Sequence, residues 1–83
     1  MYKCIVTGKV PGNTRYHKTF LVNKEDIQEA LVYWWSRFWD KEYNIYSADK
    51  LSVSRFNIIA TNKRGLHNFE VVISIGKVWG TIS

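Results

Sequence analysis

Between Lys24 and Trp39, apolar side chains recur at the spacing of an α-helix. Ile27, Ala30, Leu31, Trp34, Trp35 and Phe38 stand at i, i+3, i+4, i+7, i+8 and i+11. No other stretch of the chain is as long and as regular, so the rest of the fold must be built against this stripe. Asn23 is the expected N-cap. Glu25, Asp26 and Glu29 then put negative charge in the first turns, where the helix dipole favours it.

The segments on either side read as strands. Tyr2, Cys4 and Val6 alternate with Lys3, Thr7 and Lys9 up to Val10, with Ile5 as the exception, and Tyr16, Phe20 and Val22 continue the pattern over Arg15 to Val22. Between them, Pro11-Gly12-Asn13 is turn chemistry. A three-residue loop with Asn13 left-handed pairs Cys4 with Phe20 and Tyr2 with Val22, which keeps the apolar faces in register, whereas a two-residue turn puts them out of phase. Asp40 to Lys50 is polar but holds Tyr43, Ile45 and Tyr46, and is expected to be a packed connection. Leu51 to Thr61 changes phase between Val53 and Phe56, which predicts a bulge near Ser54-Arg55. Asn62-Lys63-Arg64-Gly65 is a hairpin loop, and Leu66 to Ile75 is the clearest strand. Gly76-Lys77 is expected to turn the chain into a short last strand, Val78 to Ile82.

The order is ββαβββ. The expected fold is a single α+β domain over residues 1–83, an antiparallel sheet of four or five strands with one amphipathic helix on one face. Its core is expected to hold Tyr2, Cys4, Val6, Phe20, Val22, Ile27, Leu31, Trp34, Trp35, Phe38, Phe56, Ile58, Phe69, Val71 and Ile73. A chain of 83 residues buries only about 60–65% of its unfolded surface. The four Trp, five Tyr and four Phe compensate, because each removes on the order of 150–250 Å² from water.

Several chemistries lack their residues. Cys4 is the single cysteine, so there is no internal disulfide, and a reducing compartment follows as the simpler expectation. Cys4 and His17 invite a thiol–imidazole pair, but the expected register sets them on opposite faces of the hairpin, with Cys4 a buried, unreactive hydrophobe. One Cys and two His do not make a metal site, which needs three or four ligands at compatible spacing. The glycines form no phosphate loop, since none belongs to a glycine-rich run leading from a strand into a helix. No catalytic residue and no cofactor is expected. No apolar run resembles a signal peptide, and the longest stretches free of Lys, Arg, Asp and Glu are the seven residues Ala30–Ser36 and Phe56–Asn62, against about 20 needed to span a bilayer. The expectation is a cytoplasmic protein with no membrane partner.

What remains is surface. Net charge is +5 and it is unevenly spread: residues 1–22 carry +4, residues 23–49 carry −3 and residues 50–83 carry +4. A positive sheet side opposite an acidic helix region is therefore expected. Lys3, Thr7, Lys9, Arg15, His17 and Thr19 should face outward, joined by Arg55, Asn57 and His67, with Lys63 and Arg64 at a hairpin tip. Cations beside hydrogen-bonding groups suit phosphate contacts. The same face lacks the aromatic platforms that single-stranded RNA readers use, with only Trp79 expected outward. The plain alternative is that these charges keep a small sheet soluble and protect its edges. Tyr33 and Trp39 lie off the helix stripe and are candidate aromatic anchors for a protein partner, unless Tyr43, Ile45 and Tyr46 fold over Trp39.

Two binding functions are expected in place of an enzyme. The first is an interaction protein that docks its basic sheet face or hairpin tips on a host protein or nucleoprotein complex and blocks it. In size and format the chain resembles the small inhibitors that phages and mobile elements encode, anti-CRISPR proteins against CRISPR effectors among them. The resemblance is one of format, and no residue pattern carries it. The second is direct, sequence-independent nucleic-acid binding through Lys3, Lys9, Arg15, Arg55, Lys63 and Arg64. A monomer, or a dimer paired along the edge strand Val78–Ile82, is expected.

Overall fold

A computed structural model describes residues 1–78. The chain runs through β1 (Tyr2–Val10), β2 (Asn13–Val22), α1 (Ile27–Phe38), β3 (Asn44–Lys50), β4 (Arg55–Asn62) and β5 (Gly65–Lys77). All strand pairs are antiparallel and form one sheet in the order β2-β1-β5-β4-β3. This is the expected α+β architecture with the order ββαβββ. The fifth strand, however, is β3, from the segment expected to be a connection.

The helix begins later than expected. Asp26, not Asn23, is the N-cap: its backbone is extended and its carboxylate accepts the Glu29 N–H at 3.1 Å. The physical reason is that the apolar stripe starts at Ile27, so an earlier turn would bury nothing. Trp39 closes the other end, donating its N–H to the Trp35 carbonyl at 2.9 Å.

In the first hairpin the expected pairs Cys4↔Phe20 and Tyr2↔Val22 form, but by another route. Val10 pairs with Asn13 across a two-residue turn, Pro11-Gly12, and the phase is restored by one extra residue in β2, where Thr14 and Arg15 stand opposite Lys9. Gly12 carries the positive φ of 84°, and Asn13 does not have one. Asn13 instead accepts the Arg15 N–H on its side-chain oxygen at 2.9 Å, which satisfies a donor at the bulge.

The second sheet half departs further. β3 is exposed along nearly its whole length, so it shows no period-two burial pattern. Tyr46 is an extra residue in its pairing with β4, between Ile45 and Ser47. Leu51 and Val53 belong to the loop that follows, closed by the Leu51 N–H on the Arg55 carbonyl at 2.8 Å, and they replace the expected bulge at Ser54-Arg55. Gly76 and Lys77 are not a turn. They pair with Lys3 and Tyr2, so β5 runs on for 13 residues. Val78 lies outside any strand, and the remainder of the expected strand to Ile82, with Trp79, falls outside the described residues. Among the described residues the sheet edges are β2 and β3, and all but Val78 of the segment expected to pair two copies, Val78–Ile82, lies outside them.

The two hairpins are staggered along β5. β1 pairs with residues from Glu70 to Lys77, and β4 pairs with residues from Gly65 to Val72. The molecule is accordingly long, 49 × 21 × 20 Å. The helix lies over one face and packs mainly through aromatic rings. Phe69 is its receiving point: Trp34, Trp35, Trp39 and Tyr43 all turn toward it at 4.9–6.5 Å between centroids, at interplanar angles from 74° to 89°. Trp34 is fully buried and donates its indole N–H to the Tyr16 hydroxyl at 3.0 Å.

Cys4, Val6, Trp34, Trp35, Phe56, Ile58, Phe69, Val71 and Ile73 are buried as expected, and Phe20, Val22, Ile27, Leu31 and Phe38 are half-buried against them. Val10, Ala30, Tyr43 and Ala60 complete the buried core, whereas Tyr2, also expected in it, is only half-buried and lies outside the cluster. Lys18 also faces the helix side, opposite Val6, and its ammonium sits 4.6 Å from the Phe38 ring centroid. An inward-pointing lysine on β2 and an extra residue in β3 guard the two edges.

Candidate interaction surface

Strand periodicity fixes which side chains share the far face. Since Cys4, Val6, Phe56, Ile58, Phe69, Val71 and Ile73 are buried under the helix, their neighbours Lys3, Ile5, Thr7, Lys9, Arg55, Asn57, Ile59, Glu70 and Val72 point the other way. Among the described residues no second layer covers that side.

The pairing register then arranges them in rows. Lys3 lies between Leu21 and Gly76, and Ile5 between Thr19 and Ser74. His17, Thr7, Val72 and Arg55 form the next row, and Lys9, Glu70, Asn57 and Asp49 the one after, with Arg15 at the bulge beside Lys9. Five of the expected site residues, Lys3, Lys9, Arg15, His17 and Arg55, are thus brought onto one bare face. None of the lysines and arginines among them makes an ion pair with another described residue.

Two acids share that face. Glu70 stands in register beside Lys9, and Asp49 ends the same row. The position of Glu70 opposite Lys9 depends on β1 pairing with β5, a neighbour relation that strand patterning alone does not reveal. The face is therefore cationic on β1 and β2 and mixed toward β3.

The other expected site residues lie elsewhere. Lys63 and Arg64 are exposed at the β4–β5 tip, where the Asn62 side chain accepts the Arg64 N–H at 2.8 Å. His67 does not join the far face. It pairs with Ala60 on the helix side, its Nε2 lies 2.9 Å from Asn62 Oδ1, and its ring meets Tyr43 edge-on at 5.4 Å. Since the Asn62 oxygen only accepts, His67 Nε2 is the donor. Tyr33 is exposed and tilts over Phe20 at 5.3 Å. Trp39 is no free anchor: Tyr16, Trp34, Tyr43 and Phe69 surround it at 4.9–5.9 Å. Tyr43 does the covering, while Ile45 and Tyr46 stay exposed. The price of this packing is an indole N–H on Trp39 that is buried without an acceptor among the described residues.

Cys4 is buried on the helix side and His17 is exposed on the other, so thiol and imidazole do not meet. Burial pushes the Cys4 thiol up to about 11, which keeps it protonated and unreactive near neutrality. Among the described residues no three His, Cys, Asp or Glu side chains group as a metal site would require, and no helix is long and apolar enough to cross a membrane.

The chain matches no known protein family, no curated protein and no solved structure.

Proposed function

We propose that this chain is a non-enzymatic binding protein that docks on a host protein or nucleoprotein assembly and blocks it, in the manner of small inhibitors from phages and mobile elements. The docking surface is the cationic half of the uncovered sheet face. The observation that carries this reading is the grouping of Lys3, Lys9, Arg15, His17 and Arg55 on a face that no second layer covers among the described residues. A fold of this size has no structural need for such a grouping, and like charges held together on a sheet destabilise it slightly unless a partner neutralises them. A buried single thiol suits action in a reducing cytoplasm.

A protein-bearing partner is favoured over free nucleic acid by Glu70 and Asp49, which repel phosphate from the row that Lys9 begins. The far-face residues named above also include no Phe, Tyr or Trp ring on which a base could stack. Direct nucleic-acid binding is kept as the second reading because Lys63 and Arg64 project from a hairpin tip on the same sheet.

The test is affinity capture from nuclease-treated bacterial lysate, comparing the natural chain with a K3E/K9E/R15E/R55E variant, alongside fluorescence anisotropy with duplex and single-stranded probes. Capture that survives nuclease and is lost in the variant is the expected result. Capture that vanishes with nuclease, together with probe binding that weakens tenfold or more as salt rises to physiological strength, would transfer the function to nucleic acid. Capture unaffected by charge reversal would remove the sheet face from the mechanism.

A further inference from the structure

We infer that the far face carries a specific anchor cleft, and that its occupant is an apolar side chain within an acidic peptide segment of the protein partner. This rests on the docking reading above and sharpens it. A cleft of about 320 Å³ is lined by Gly8, Lys9, Leu51, Arg55, Glu70 and Val72. It lies where β1 and β4 both pair with β5, between the row that holds Lys9 and Glu70 and the row that holds Val72 and Arg55. Its floor is bare backbone at Gly8, and it must stay bare: φ there is +138°, and an added Cβ would run into the Glu70 carbonyl.

The lining chemistry selects the occupant. Val72 and Leu51 supply an apolar wall, and Leu51 is 59% exposed in the free protein, so a contact there relieves unfavourable exposure. Lys9 and Arg55 stand on two different strands at opposite corners and can each meet a carboxylate on either side of a seated residue. Glu70 sits between them and suits a backbone N–H donor. A phosphodiester strand offers no apolar group for Leu51 and Val72 and no backbone N–H for Glu70. A volume near the lower end of small-molecule sites also suits one side chain better than a cofactor.

The probe is acetyl-Asp-Phe-Asp-Leu-Glu-amide, titrated into the full chain and followed by amide resonances, with inorganic pyrophosphate as the phosphate comparison. The expected result is saturable shifts at Gly8, Lys9, Arg55 and Val72 with the peptide, weakened at least fivefold by Arg55→Ala and by Leu51→Ser, and no saturation with pyrophosphate. Leu51→Ser lies in an exposed loop, so the fold survives it. Absence of saturable peptide shifts, indifference to Leu51→Ser, or tighter binding of pyrophosphate would each overturn the anchor. Charge reversal at Lys3 and Arg15, outside the cleft, separates the two levels. Lysate capture lost in K3E/R15E but intact in Leu51→Ser leaves the docking face standing without the anchor, and capture intact in both removes both.

Discussion

The two faces of this sheet are made by alternate residues of the same strands, yet they solve different problems. On the helix side Phe69 gathers four aromatic rings, and Trp34 reaches Tyr16 through a hydrogen bond. On the far side Lys3, Lys9, Arg15 and Arg55 stand in water without described ion-pair partners. Packing dictates the first set, since each ring must fit its neighbours. Nothing in the fold dictates the second, and that freedom makes it the place to look for function.

Stability measurements test this contrast. The largest effect is expected for Trp34→Ala, which should cost about 4 kcal/mol by loss of buried area and creation of a cavity. In a chain of this size that is a large share of total stability, so urea melts at 25 °C should show a strongly lowered midpoint. Alkaline pH comes next. The Cys4 thiol is raised from 9.0 to about 11 by burial, so above pH 9 the unfolded chain releases its proton while the folded chain keeps it. Stability is thus complete below pH 9 and falls by about 3 kcal/mol as pH rises through 11. Cys4→Ala should flatten that slope in denaturant melts run at several pH values.

Gly8→Ala tests the backbone between the faces. With φ at +138° and the Glu70 carbonyl in the way, it should cost about 2 kcal/mol, read as a lower melting midpoint. Smallest of all, Lys9→Ala and Arg55→Ala should each change stability by less than about 0.5 kcal/mol. A larger loss from either would mean that the far face contributes to holding the fold together, and would remove the contrast between packed and free residues.

The packed face was the more legible one in the sequence. The helix stripe and the alternation of Phe69, Val71 and Ile73 are direct images of burial, and they located the core. β3 left no such image because neither of its faces is well covered: Ile45, Tyr46 and Ala48 are all exposed, and its pairing with β4 rests on backbone groups common to every residue. The first hairpin shows a subtler limit. The register could be inferred from matching apolar faces, but two turn geometries reach it, and the choice of Pro11-Gly12 with a bulge lay in φ angles. For the candidate site, alternation placed Lys3, Lys9 and Arg55 outward. His67 was misplaced for want of the pairing partner Ala60, and Glu70 went unweighed because strand order decides which residue lies beside Lys9.

The stagger of the hairpins has a kinetic meaning. Within β5, only Glu70, Val71 and Val72 carry strand partners on both sides, so the half of the sheet built on Gly65–Val72 and the half built on Glu70–Lys77 overlap in a seam three residues wide. Units attached so narrowly open as separate cooperative pieces, and amide exchange across Asn44–Thr61 should outpace that of the strand centre at Cys4–Val6. Lys9 rides on one half and Arg55 on the other. The distance between these two cations therefore follows the twist of the seam, and a partner that grips both would lock the halves together.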